Sequence, residues 1–225
     1  MVLQVSPCLN LKTPEYDSAI SFYRHVLEME LREVAGGVEA ISDCLTLAIS
    51  RSETPSVSLE GLTRDLITFE EKAKFYGFDL IEWKGRGSNN RVRDPFGFEM
   101  TVYEESSDAI LRPPIGEGGL IQPYIAFRTP QADDAAEFYA ALLGTSLHVL
   151  KDDSVVVPAA EISLRFKPSE QVQLGAFLST RAPVEELLDA GARLIDNDTA
   201  LADPFGLCWF IDMGVIASHA VIESD

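Results

Sequence analysis

The chain has 225 residues, with 18 Lys and Arg against 36 Asp and Glu, a formal net charge of −18, and 46% hydrophobic residues. That length suits one large or two small domains, each able to bury a core without disulfides or structural metals. The acidity excludes a phosphate-backbone partner and disfavours an anionic membrane, because both need a basic face.

The first ten residues lack the charged start and apolar core of a signal peptide, and no apolar run is long enough to span a bilayer, so a cytoplasmic, unexported protein is expected. Cys8, Cys44 and Cys208 are widely spaced with no C-x-x-C, which fits reduced thiols. From Cys8 to Lys12, Leu9 and Leu11 alternate with polar or small neighbours, the period of a half-buried strand. Ala19, Phe22, Tyr23, Val26 and Leu27 then recur with helical spacing and share one face. Short strands are expected over Glu30 to Val34, Val38 to Ile41 and Leu45 to Ser50. A second unit opens near Val57 and continues with a helix from Leu66 to Tyr76 that ends at Gly77. It closes with strands at Leu80 to Trp83, Arg91 to Arg93 and Glu99 to Tyr103, the last two joined by the turn Asp94-Pro95-Phe96-Gly97. The Pro- and Gly-rich stretch Arg112-Pro113-Pro114-Ile115-Gly116-Glu117-Gly118-Gly119 reads as a linker.

Beyond it the same order returns. Thr13 to Tyr23 aligns without gaps on Thr129 to Tyr139 with six of eleven residues identical, and Asp94-Pro95-Phe96-Gly97 reappears as Asp203-Pro204-Phe205-Gly206. Ala135, Phe138, Tyr139, Leu142 and Leu143 repeat the helical face, and Gly191 stands where Gly77 did. Repetition in unchanged order implies two copies of one domain, residues 1–112 and 113–225, each made of two β-α-β-β-β units.

At these residues the sequence resembles the vicinal oxygen chelate superfamily of glyoxalase I, extradiol dioxygenases and bleomycin- and fosfomycin-resistance proteins. The resemblance rests on Thr-Pro before a helix carrying Phe22-Tyr23 or Phe138-Tyr139, on the helix-ending Gly77 and Gly191, and on the two Asp-Pro-x-Gly hairpins. It implies an α+β protein of two tandem glyoxalase-like domains, each of paired β-α-β-β-β units forming a curved mixed sheet around a cup. It also implies where a divalent metal would be held: the first strand, the strand opening the second unit, and the last strand. In this sequence those places carry Cys8, one of Ser56, Ser58 or Glu60, and Thr101 in the first domain. In the second they carry Tyr124, Gln173 and Phe210. Neither set is the two or three His and carboxylate ligands that such a metal needs, and His25, His148 and His219 fall elsewhere. No metal and no cofactor are therefore expected.

Strand alternation puts Cys8, Asn10, Thr101 and Tyr103 on one face of the first cup, and these are the expected ligand-binding residues, their amide, hydroxyl and aromatic groups suiting a neutral or weakly polar molecule. A thiolate at Cys8 would need a neighbouring His or Lys to activate it, and none is identifiable. Tyr124, Ala126, Phe177, Cys208 and Phe210 give the second cup an apolar, aromatic lining. Lys84, Arg86, Arg91 and Arg93 gather positive charge beside the first cup, with local charge balance as the plainer account. The reading that follows is a glyoxalase- or bleomycin-resistance-like protein without the usual metal triad that binds a small molecule, as a monomer or weak homodimer. A metal-dependent enzyme with atypical ligands and a scaffold that has lost its pocket are the alternatives.

Overall fold

The computed structural model describes residues 3–42, 45–105, 124–150, 152–159, 162–178, 183–195 and 200–211. The expected linker and the boundary at 112/113, together with Cys44 and His219, lie outside the described residues. The first half runs β1 (Gln4–Thr13), α1 (Tyr16–His25), β2 (Glu30–Val34), β3 (Gly37–Ile41) and β4 (Thr46–Arg51), then β5 (Ser56–Thr63), α2 (Leu66–Phe75), β6 (Asp79–Glu82), β7 (Asn90–Arg93) and β8 (Glu99–Glu104). The second half repeats it with β9 (Tyr124–Thr129), α3 (Ala132–Leu143), β10 (His148–Val149), β11 (Val155–Ala159) and β12 (Ile162–Pro168). Its closing unit is β13 (Gln173–Leu178), α4 (Val184–Asp189), β14 (Arg193–Ile195), β15 (Ala200–Ala202) and β16 (Cys208–Ile211).

Each half forms one eight-stranded mixed sheet, ordered β2-β3-β4-β1-β5-β8-β7-β6 and β10-β11-β12-β9-β13-β16-β15-β14. In both, the first strands of the two units pair antiparallel at the centre, and each pairs parallel with its own unit's last strand. Local chemistry sets the element ends. Thr13 and Thr129 accept from the backbone N–H of Glu15 and Gln131 just before α1 and α3, and Asp65 caps α2 by accepting from Ile67 and Thr68. Gly144 closes α3 at a φ of 67°, the left-handed conformation glycine adopts without a Cβ clash. Among the described residues, no helix is long and apolar enough to cross a membrane.

One face of each sheet is apolar and joins a single core built from both halves: Leu9, Leu11, Leu47 and Leu59 from the first sheet, Ile125, Phe127, Leu164 and Phe166 from the second. Phe22-Tyr23 and Phe138-Tyr139, on the repeated helical face of α1 and α3, pack into this core and also reach beyond their own sheets. The Tyr23 and Tyr139 rings are fully buried, but their hydroxyls cross to the opposite half: Tyr23 donates to Asp203 Oδ2 at 2.5 Å and Tyr139 to Asp94 Oδ2 at 2.8 Å. Phe22 likewise packs edge-on to Phe205, and Phe138 contacts Tyr76, Phe78 and Phe96. Because strand side chains alternate, the residues between the core positions point away from this shared core and form the two cups.

Candidate functional site

In the first sheet, β1 offers Cys8, Asn10 and Lys12 to the cup between the buried Leu9 and Leu11. Register sets β5 and β8 beside it: Asn10 lies opposite Ser58, and Glu60 pairs with Thr101. The ladder between β1 and β5 shifts register between Val5 and Leu9, an irregularity of the kind that re-aims side chains. Glu82, on β6 at the edge of this sheet, is held below the usual carboxylate range first by its hydrogen bond to Lys84.

The four expected binding residues share this concave face. Cys8 is buried, with its thiol directed to the Leu9 carbonyl. Thr101 is buried and its hydroxyl lies 3.0 Å from that of Ser58. Tyr103 is half-buried, and burial, followed by the charges of Glu60 and Cys8, pushes its phenol up to about 12, so it is a donor at neutral pH. Asn10 Nδ2 is buried with no hydrogen-bond acceptor. The basic stretch beside the cup is balanced as the plainer account held: Lys84 pairs with Glu82, Arg86 with Glu104, and Arg91 and Arg93 both with Glu99.

Neither cup fits the metal that the fold's chemistry would use. The first brings Cys8, Glu60 and Thr101 together, but a threonine hydroxyl already paired with Ser58 is no third ligand. In the second, Gln173 lies beside Arg128 and its Oε1 accepts a hydrogen bond from that guanidinium at 2.9 Å; it is Phe177 that pairs with Phe210 across the sheet. The three corresponding positions are therefore Tyr124, Phe177 and Phe210, which corrects the expected place of Gln173. Among the described residues no group of three His, Cys, Asp or Glu side chains converges on one point.

The second cup has an apolar floor of Ala126, Ala200, Cys208 and Phe210, flanked by Tyr124 and Ile195; Tyr124, Ala126, Cys208 and Phe210 are among the expected lining residues, and Ala200 and Ile195 join them. It also carries three cations that the apolar reading missed. Arg128 continues the alternation of Tyr124 and Ala126 along β9, and Arg165 and Lys167 alternate with the buried Leu164 and Phe166 along β12. The alternation was the available signal. Arg165 lies over the Tyr124 ring at 5.1 Å and Lys167 over the Phe210 ring at 5.1 Å.

No protein-family model matches the chain, and no curated protein matches it. Solved structures do. The Mn(II)-bound glyoxalase from Novosphingobium aromaticivorans superposes with a TM-score of 0.58 at 13% identity, covering 93% of this chain and 81% of that one. Homoprotocatechuate 2,3-dioxygenase from Brevibacterium fuscum gives 0.56 at 14% identity over 93% and 80%. The 2,2',3-trihydroxybiphenyl 1,2-dioxygenase from Sphingomonas wittichii strain RW1 gives 0.55 at 12% over 94% and 91%. At such identities the likeness is one of fold, and function belongs to the site.

Proposed function

We infer that this chain, which has the vicinal oxygen chelate fold of glyoxalases and extradiol dioxygenases, binds a small neutral or weakly polar molecule in its first cup without a metal. The observation that carries this reading is Asn10 Nδ2, a buried amide donor with no acceptor, on the same face as Cys8, Thr101 and Tyr103. Leaving such a group unmade costs about 1–3 kcal/mol, and a ligand carbonyl or hydroxyl oxygen would recover it. Tyr103 supplies a second donor and an aromatic wall, and the concave mixture of apolar and converging polar groups is that of small-molecule sites. The protein works as a monomer or weak homodimer, since two copies of the domain already pack within one chain.

The test is a thermal-shift screen of neutral carbonyl and hydroxyl compounds followed by titration of each hit. Thr101→Phe, which fills the cup, and Tyr103→Ala, which widens it, change the affinity, whereas Phe210→Ala in the second cup leaves it unchanged. Binding lost in Phe210→Ala and kept in Thr101→Phe would move the site to the second domain.

A further inference from the structure

The second cup differs from the first in charge. Arg165 and Lys167 are 20% and 22% exposed, and the one carboxylate they share, Asp152, is 45% exposed. Arg165 bonds to it and to the Ser154 hydroxyl. Lys167 approaches it only to 3.8 Å, beyond hydrogen-bond length. Two cations withdrawn from water thus face the cup while their shared anion stands nearer solvent. Arg128, level with Lys167 in the register and itself buried, adds a third cation and second guanidinium to the same face. Beneath these groups lie the Tyr124 and Phe210 rings, with centroids 6.1 Å apart, and the apolar Ala126 and Ala200.

We propose that the second cup binds an organic anion with an aromatic or apolar body, its carboxylate or similar group met by Lys167, Arg165 and Arg128 and its body laid on the Tyr124–Phe210 floor. Asp152 is bonded to Arg165 but leaves Lys167 short of a hydrogen bond; a ligand carboxylate gives Lys167 that bond at normal length, offers Arg128 a planar partner for its N–H groups, and competes with Asp152 for Arg165. In a chain of net charge −18, an anion has no general attraction to the surface, so recognition comes from this local band of charge. The inference stands independently of the first cup.

Isothermal titration calorimetry of the full chain with 1-naphthoate and with its neutral analogue 1-naphthalenemethanol tests it. Naphthoate is expected to bind about tenfold or more tightly than the alcohol, with the preference shrinking as salt is raised. Lys167→Met and Arg165→Met each erase that preference while leaving the alcohol's affinity in place. Asp152→Asn, which removes the internal competitor, strengthens naphthoate binding, a gain that no folding defect would produce. Equal binding of the two probes, no binding of either, or weaker naphthoate binding in Asp152→Asn overturns the proposal. Thr101→Phe should leave naphthoate untouched; if it abolishes binding, the anion sits in the first cup and the second is not the site.

Discussion

Tyr23 and Asp203 lie 180 residues apart in sequence and share a buried hydrogen bond of 2.5 Å, and Tyr139 and Asp94 mirror them at 2.8 Å. Each aspartate does two things at once. Its Oδ1 accepts two turn N–H groups, from Phe96 and Phe98 or from Phe205 and Leu207, and so shapes its own hairpin. Its Oδ2 receives the tyrosine of the other half, and Asp203 also accepts from Trp209 Nε1. The two repeated motifs, Phe-Tyr on a helix and Asp-Pro-x-Gly in a turn, are thus the two sides of one contact made twice.

Removing either phenol leaves a buried carboxylate one donor short. Tyr23→Phe and Tyr139→Phe should each lower unfolding stability by about 1.5–3 kcal/mol, the range for hydrogen bonds to charged groups. Asp203 keeps the Trp209 donor that Asp94 lacks, so Tyr139→Phe should be the costlier. Urea denaturation of the two variants checks this, and equal losses below about 0.5 kcal/mol would show that the hydroxyls contribute nothing.

The same pairs predict how stability changes with pH. Burial pushes the Asp94 carboxyl up to about 6, against the lowering effect of the Phe98 N–H and the Tyr139 hydroxyl, whereas an unfolded aspartate titrates near about 3.9. Between these values the folded chain holds a proton that the unfolded chain has lost. The contribution is therefore fully present below about 4 and is lost as pH rises through about 6, on the order of 2–3 kcal/mol in all. Burial shifts Asp203 in the same direction. The melting temperature should then be higher at pH 5 than at pH 7.5. Relief of self-repulsion in an acidic chain acts in the same sense, so the diagnostic is Asp94→Asn, which should flatten the profile; an unchanged slope would remove Asp94 as its cause.

The fold was legible because periodicity and repetition agree. The strand expected over Glu30 to Val34 has those bounds, and the helix expected from Leu66 to Tyr76 spans Leu66–Phe75. What the sequence hid was pairing at long range. Nothing near Tyr23 announces Asp203, since a side chain's partner across a domain interface leaves no local periodic signal. The second cup differs for another reason: the aromatic residues Tyr124 and Phe210 suggest an apolar lining, and although Arg165 and Lys167 alternate with Leu164 and Phe166, only the pairing of their strand with β9, which the sequence does not state, sets them beside those rings. Gln173 was misplaced by register alone, the quantity strand patterns fix least when strand ends are uncertain.

Gly175 is a site where register can be tested by a single methyl group. It pairs with Cys208, and a Cβ there would stand 2.3 Å from the Cys208 carbonyl oxygen and 2.9 Å from its Cβ. Backbone cannot yield as a side-chain tip can, so Gly175→Ala should cost more than about 2 kcal/mol or prevent folding. A fully stable Gly175→Ala variant, measured by thermal melting, would mean that β13 and β16 are not in this register.

The donor sets also predict the response to metals. Tight divalent binding needs two or three well-placed His or carboxylate ligands, and the first cup offers only Cys8 and Glu60 beside Thr101. Adding Mn, Fe, Ni or Zn should leave the melting temperature nearly unchanged. One equivalent of bound metal, lost in Glu60→Gln, would revive the metal-dependent enzyme as the better account.

Asn10 separates stability from binding most sharply. Its Nδ2 is buried without an acceptor in the unliganded chain, a debt of about 1–3 kcal/mol that a leucine of similar size would not carry. Its neighbours Leu9 and Leu11 are core residues on the opposite face, so the substitution alters the cup and leaves the core intact. Asn10→Leu should therefore raise the melting temperature, or at least hold it, while weakening any first-cup ligand that presents an oxygen to the amide by about tenfold. Such opposed effects are what a group kept for binding at the expense of folding would give. A variant that melts lower and binds its ligand as before would show that Asn10 supports the strand and not the site.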